Sequence, residues 1–168
     1  RCYPGSPPIV IGDLSGRRGG RLGRHRSHQS GRDADLGWYL TAGSVPIVRR
    51  GLLRNVDLAR SWTLVRTLVT AAEVERIFID RVLQRALLAH AESLGEDDAW
   101  LSELFEVAGV RARPLIQHEP GHWNHFHVRF VSRWAQEHGR RIPAPRLMRA
   151  RRKRRTPTWD IVSHRSKK

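Results

Sequence analysis

Apolar residues at helical spacing predict three helices in the middle of the chain. The first is predicted over residues 58–74, with Asp57 in position to cap its N-terminus. The second covers residues 81–94 and stops at Gly95, and the third begins after Asp97 or Asp98 and ends at Gly109. The faces expected to be buried are Leu58, Trp62, Val65, Val69 and Ala72 in the first, Val82, Leu83, Ala86, Leu87 and Ala89 in the second, and Trp100, Leu101, Leu104, Phe105 and Ala108 in the third.

Short apolar or alternating segments predict strands before, between and after these helices. They cover residues 9–13, 33–39, 76–80 and 126–131, and the last alternates faces as a half-buried strand does. Between the first two lies a basic loop, residues 15–24, with four glycines that allow close backbone approach. The chain therefore combines strands and helices in one sequence of ordinary domain size, 168 residues.

The positive charge is concentrated at the C-terminal end. The whole chain has a formal net charge of +15, but residues 140–168 hold 12 of the 31 basic residues and one of the 16 acidic ones. We therefore divide the sequence into a domain, 1–139, and a basic Pro/Arg-rich linker, 140–168. The run 149–155 is the natural candidate for non-specific contact with nucleic acid or another polyanion, because it contains no compensating acid.

Composition disfavours two further kinds of structural feature, cysteine-based cross-links and transmembrane helices. Cys2 is the one cysteine, which excludes an internal disulfide and a zinc site built from cysteine pairs. No apolar run reaches the roughly 18 residues of a transmembrane helix.

Five of the nine histidines fall into two short clusters separated by ordinary globular sequence. The first reads His25-Arg-Ser-His28 and continues to Asp33 and Asp35, and the second holds His122, His125 and His127. Histidine and carboxylate together suit a divalent zinc ion. Two clusters so far apart in sequence predict one metal site that is assembled by folding.

The spacing of these residues indicates how the metal site is built, but it does not decide whether His125 or His127 is the ligand. His125 and His127 point to the same face of a strand, so that one can bind the metal while the other contacts its water. A turn at residues 30–31 would let His28 and Asp35 reach a common point. Two histidines and one carboxylate leave a position for water on a catalytic zinc, for which hydrolysis is the expected chemistry.

The two clusters, together with Gly12-Asp13 and the Arg-Gly-Gly loop, resemble the penicillin-insensitive murein endopeptidases. The string Ser-His-Gln-x-Gly-x-Asp-x-Asp carries most of the likeness, which covers roughly residues 9–131. The wider group also contains lysostaphin-like and D-alanyl-D-alanine peptidases. The resemblance implies an α+β fold, with a central antiparallel sheet, flanking helices and a zinc site on the sheet.

The same resemblance implies a role for each residue of the site. It makes His28, Asp35 and His127 the ligands of one Zn²⁺ per chain, and it places His125 beside the metal-bound water as a catalytic residue. His122 and His25 become further active-site histidines. Asp33 and Asp35 are two apart and could face the same side of a strand, but the seven-residue offset from His28 favours Asp35 as the ligand, so that Asp33 is expected to orient a histidine ring. The arginines of the glycine-rich loop that could meet stem-peptide carboxylates are Arg17, Arg18 and Arg21.

The expected function is hydrolysis of peptide cross-links in peptidoglycan by a periplasmic or secreted bacterial zinc metallopeptidase. A D-alanyl-D-alanine carboxypeptidase of the same family is the alternative that keeps the metal and changes the substrate. A nucleic-acid-binding or polyanion-binding protein is the alternative from another class, and it rests on residues 149–155. The last residues, 159–168, resemble the opening strand of a LysM peptidoglycan-binding repeat.

Overall fold

A four-stranded sheet forms the frame of the fold in the computed structural model, which describes residues 3–23, 25–41 and 53–141. The strands lie in the order β1-β4-β2-β3. Their bounds are Asp33–Gly37 for β1, Val74–Ile79 for β2, Ile116–His118 for β3 and His125–Phe130 for β4. Strand β4 runs antiparallel to both of its neighbours, whereas β3 runs parallel to β2.

The α+β class expected from the sequence is confirmed, and the sheet proves to be mixed. Between β2 and β3 the chain passes through two helices, and a crossover of that length returns the chain parallel to the strand it left. Strand β3 was not predicted, because three residues are too short to display an alternating pattern.

The segment predicted as the first strand extends the sheet beyond β1 without forming a regular strand. Its backbone pairs with β1 through Gly12 N to Asp35 O at 2.7 Å and Asp35 N to Asp13 O at 3.0 Å. The pairing continues at Gly37, where an added Cβ would lie only 3.0 Å from the Cβ of Val10. This close approach favours a glycine, and the pairing brings Asp13 next to the middle of β1.

Four helices complete the fold. They are α1 (Leu58–Ala71), α2 (Arg81–Ser93), α3 (Asp98–Leu104) and α4 (Arg133–Arg141), with 3-10 turns at Leu53–Asn55 and Glu106–Ala108. Asp57 caps α1 as predicted, and Asp97 rather than Asp98 caps α3 by accepting a hydrogen bond from the Trp100 amide. Helix α4 was not predicted.

Two predicted helix faces are partly wrong. Ala72 of the first face lies just after α1 and is exposed. In α2 the residues that face the core are Leu83, Leu87 and Ala91, which recur at every fourth position, whereas Val82 is 52% exposed and Ala89 is also exposed. The buried stripe lies further round the helix because Gln84 belongs to it, donating from Nε2 to the Ile79 carbonyl at 3.2 Å. A polar residue inside the stripe concealed its position in the sequence.

The sheet has an apolar face and a polar face. Phe126 and Val128 of β4 are fully buried in a core that also contains Trp62 and Leu87 from the helices. Because side chains alternate along a strand, His125, His127 and Arg129 project from the opposite face. The helical core thus supports the sheet from behind and leaves the other face for polar chemistry.

Most of the predicted linker, 140–168, lies outside the described residues, and so do the basic run 149–155 and the LysM-like segment 159–168. Among the helices of the described part, none has the length and apolar character needed to span a membrane.

Candidate metal and catalytic centre

Folding brings both histidine clusters to one place on the polar face of the sheet. Asp35 of β1 stands opposite His127 of β4 in the antiparallel register. His28 closes over this pair from the loop before β1, and its ring centroid lies 4.6 Å from that of His127. The remaining cluster histidines surround this trio, with ring-centroid separations of 4.6 Å for His25–His28 and 4.8 Å for His122–His125.

Three potential ligand atoms of this trio converge on one point. His28 Nε2 lies 3.1 Å from Asp35 Oδ1 and 3.0 Å from His127 Nδ1, and the last two atoms are 3.0 Å apart. In a tetrahedral zinc site with bonds of about 2.0–2.1 Å, ligand atoms stand about 3.3 Å apart. Two nitrogens and a carboxylate oxygen are donors that zinc accepts. The residues therefore fit a zinc ion in both donor type and spacing.

His28 is held in place by an unusual backbone conformation. Its φ of 59° falls in the left-handed region that residues other than glycine rarely adopt. The conformation is supported by a hydrogen bond from its own amide to Asp33 Oδ2 at 3.0 Å and by complete burial of the side chain. The chain then turns back at Gly31, at a φ of 76°, with the Gly31 amide donating to Ser15 Oγ at 2.7 Å. Strain of this kind is often found at functional sites.

Asp33 fixes the ring of His127 from behind. Its Oδ1 lies 2.9 Å from His127 Nε2 and 2.8 Å from Arg129 Nε. Burial disfavours the charged form of Asp33, but hydrogen bonds from His127 and Arg129 outweigh it and hold its pKa well below the usual range. An ionised carboxylate only accepts hydrogen bonds, so His127 donates from Nε2 to Asp33, and the Nδ1 edge of its ring faces His28 and Asp35.

The charges of Asp35 and His127 are coupled. Burial opposes ionisation of Asp35, yet hydrogen bonds from His127 and His28 lower its pKa well below the ordinary value. Burial likewise disfavours a charged His127, and its hydrogen bonds to Asp33 and Asp35 more than compensate and raise its pKa. The pocket is thus arranged to hold positive charge between two buried carboxylates.

His25 lies beside the trio and is tied to the extended segment before the loop. Its Nε2 is 2.9 Å from Asp13 Oδ2, and its ring meets that of His28 edge-on. One ligand atom each of His25, His28 and Asp35 lies within 4.8 Å of the others, so these three residues form an alternative donor group. The group containing His127 is tighter, at 3.0–3.1 Å.

His125 stands at the rim of the centre with one ring nitrogen fixed. Its Nδ1 lies 2.7 Å from Asn124 Oδ1, and its Nε2 lies 3.8 Å from Asp35 Oδ2. Burial lowers its pKa to about 4, against the opposing charge of Asp35. With Nδ1–H donating to the Asn124 carbonyl oxygen, Nε2 of the neutral ring has a free lone pair that can accept a proton.

His122 fills the space between His125 and Phe78. Its ring centroid is 6.0 Å from that of His127, and within the described structure its buried Nδ1 has no hydrogen-bond partner. Burial lowers the pKa of His122, and the charge of His127 adds to the effect. A buried ring nitrogen without a partner is available to a group that enters the site.

Three contributors to the centre were missed by sequence reasoning. Asn124 precedes His125 directly, but an asparagine in a loop gives no sign that it will bond to the next side chain. Phe78 packs against His127 at a centroid distance of 5.5 Å. Arg129 was missed because its contact with Asp33 depends on the register between β1 and β4.

Comparison with known proteins adds an independent finding. The sequence model of a family described as penicillin-insensitive murein endopeptidase matches residues 3–145. A protein of that name from Haemophilus influenzae is 32% identical over 143 residues, which is 76% of this chain and 44% of the relative. A protein of the same name from Pectobacterium atrosepticum is 30% identical over 72% of this chain and 43% of its own length. Another from Klebsiella pneumoniae is 30% identical over 74% of this chain and 46% of its own length. The chain thus spans less than half the length of these curated relatives.

Proposed function

Because this chain belongs to the penicillin-insensitive murein endopeptidase family, we propose that it is a zinc metallopeptidase that hydrolyses peptide cross-links in peptidoglycan. The observation that supports this most strongly is the convergence of His28 Nε2, Asp35 Oδ1 and His127 Nδ1 within 3.0–3.1 Å of one another. We infer a periplasmic or secreted location, where such a substrate is found. The catalytic domain in this proposal is 1–139, followed by the basic linker 140–168.

In this proposal His28, Asp35 and His127 hold one zinc ion, and Asp33 keeps the His127 ring in the liganding orientation. A zinc ion with three protein ligands supplies a Lewis acid and an activated water. The protein supplies the rest of the chemistry through groups that are already in position around the ligands.

His125 is the proton carrier of the proposal. Asn124 fixes its Nδ1, so that Nε2 points toward the centre and can take the proton from the attacking water and later pass it to the leaving amine. A pKa of about 4 keeps the ring neutral before the reaction at pH 7. Its role as acceptor therefore requires no prior loss of a proton.

His122 and His25 complete the proposed site. The unpartnered Nδ1 of His122 is suited to donate to the oxyanion that develops on the scissile carbonyl. His25, anchored by Asp13, lies on the other side of the ligands, where it limits the space open to substrate. The exposed Arg17, Arg18 and Arg21 belong to a loop that docks beside His28 through Gly20 N to Gln29 O at 2.8 Å.

Digestion of purified sacculi distinguishes this function from its closest alternative. We expect the full chain to convert cross-linked muropeptide dimers into monomers, measured by chromatography with mass spectrometry, because cleavage occurs within the bridge. A D-alanyl-D-alanine carboxypeptidase would instead shorten monomers by one D-alanine. Unchanged dimers accompanied by that mass loss would contradict endopeptidase activity and support the carboxypeptidase.

A further inference from the structure

A polar cavity of about 540 Å³ adjoins the metal and catalytic centre. Its walls are the loop that carries His28, the ends of β1, β2 and β4, and the first turn of α4. Cavities of this size commonly accept a group as large as one or two amino-acid residues. The charged residues that line it are Arg26, Arg32, Asp33, Glu75 and Arg129.

The two acidic groups of the cavity are already satisfied within the protein. Asp33 accepts hydrogen bonds from the His28 amide and from the side chains of His127 and Arg129. Glu75 is paired with Arg32 and also accepts a hydrogen bond from Gln136 of α4 at 3.3 Å. Neither carboxylate therefore needs a cation from outside.

The three arginines retain donors. Arg32 Nε is buried without a partner in the described structure, and the Arg32 side chain is only 18% exposed. Arg129 uses its Nε on Asp33 and is 22% exposed. Within the described residues the exposed Arg26 side chain takes part in no ion pair. A guanidinium has five donors in a planar fork. A carboxylate is therefore the ligand that would pair with the free arginine donors of this cavity.

The cavity lies on the same face of the sheet as the proposed ligands. Arg129 follows His127 by two positions on β4, which places the two side chains about 6–7 Å apart along the strand. Asp33 joins the two sites, because it lines the cavity and also contacts the His127 ring. A group in the cavity is therefore about one residue away from a bond positioned at the centre.

We propose that this cavity, the arginine pocket, binds a free carboxylate of the stem peptide beside the cross-link that is cut. The proposal rests on the proposed function and specifies its substrate further. The bound group is a residue that carries an ionised carboxylate, held by Arg26, Arg32 and Arg129. Converting that carboxylate to a carboxamide removes the negative charge that the three arginines bind.

Two synthetic cross-linked dimers, identical except that the free carboxylates of one are carboxamides, test the pocket. The wild-type protein is expected to prefer the carboxylate dimer by about tenfold in kcat/KM. In Arg26→Gln that ratio should fall toward one because one of the three arginines is lost, mainly through a higher KM for the carboxylate dimer. Arg26 is the variant of choice because the described structure gives its side chain no internal ion pair to lose. Arg85→Gln, at an exposed position of α2, is the matched control and should keep the ratio.

Three results would overturn the arginine pocket. They are equal cleavage of both dimers by the wild type, an unchanged ratio in Arg26→Gln, or the same loss of preference in Arg85→Gln. If the wild type cleaves neither dimer, the proposed function fails. Calorimetric titration with uncross-linked stem peptide then tests binding to the arginine pocket separately. Tighter binding of the carboxylate peptide than of its amide, lost in Arg26→Gln, would then support it, and equal binding would refute it.

Discussion

Replacing His127 with alanine is expected to lower the release of monomers from cross-linked muropeptides by about a thousandfold or more. In the proposed centre His127 provides one of the three converging ligand atoms, and its removal would leave His28 and Asp35 as an incomplete set. Two protein ligands hold zinc far more weakly than three, so the purified variant should also lose its bound zinc. Chromatography of digested sacculi and elemental analysis measure the two effects on the same preparation.

The control for His127→Ala is His90→Ala. His90 lies on α2, on the helical side of the sheet, and should leave both zinc content and cleavage unchanged. Thermal unfolding followed by circular dichroism shows whether the His127 variant is folded, which separates a lost ligand from a lost structure. A folded His127→Ala protein that keeps its zinc and its activity would remove this residue from the metal site.

Replacing Asp33 with asparagine is expected to weaken zinc binding by about 10–100-fold although Asp33 is not a ligand in the proposal. The amide group keeps the size of the carboxylate but loses its charge, and one side of it becomes a donor. It can no longer accept from the His28 amide, His127 and Arg129 together. The His127 ring then loses the charged partner that directs Nδ1 toward the centre.

Competition with a chelator of known affinity measures the change in Asp33→Asn. Activity should return at raised zinc concentration, because the three ligands are still present, and this rescue distinguishes a positioning residue from a ligand. Asp98→Asn, at an exposed position at the start of α3, is the matched control and should bind zinc as the wild type does. Unchanged zinc affinity in Asp33→Asn would mean that the His127 orientation does not depend on this carboxylate.

The parts of the fold that were predictable are those encoded by neighbouring residues. Asp57 precedes an apolar helical stripe and caps α1, and a stripe of this kind fixes both the type of the element and its start. Strand β3 escaped prediction because its three residues owe their conformation to pairing with β2. The α2 face was misjudged at Val82 and Ala89 because Gln84 is buried by a bond to the chain before the helix.

In the candidate site, too, the features encoded by neighbouring residues were predictable and those that depend on tertiary contacts were not. Alternation along a strand was sufficient to place His125 and His127 on one face, and the structure has them there. The left-handed backbone of His28 and the hydrogen bond from His125 Nδ1 to Asn124 Oδ1 follow from contacts that no spacing rule contains. The arginine pocket was equally hidden, because Arg26 and Arg129 are about a hundred residues apart in the sequence and line one cavity only after β1 pairs with β4.

Zinc titration of metal-free protein tests the centre at His28, Asp35 and His127 most directly. The full chain is stripped with a chelator, shown to be free of metal by elemental analysis, and supplied with zinc in fractions of an equivalent. Conversion of muropeptide dimers to monomers should be absent at the start, rise in proportion to added zinc and level off at one equivalent per chain. Full conversion by the metal-free protein, or the same zinc response in His127→Ala, would contradict a catalytic zinc at these residues.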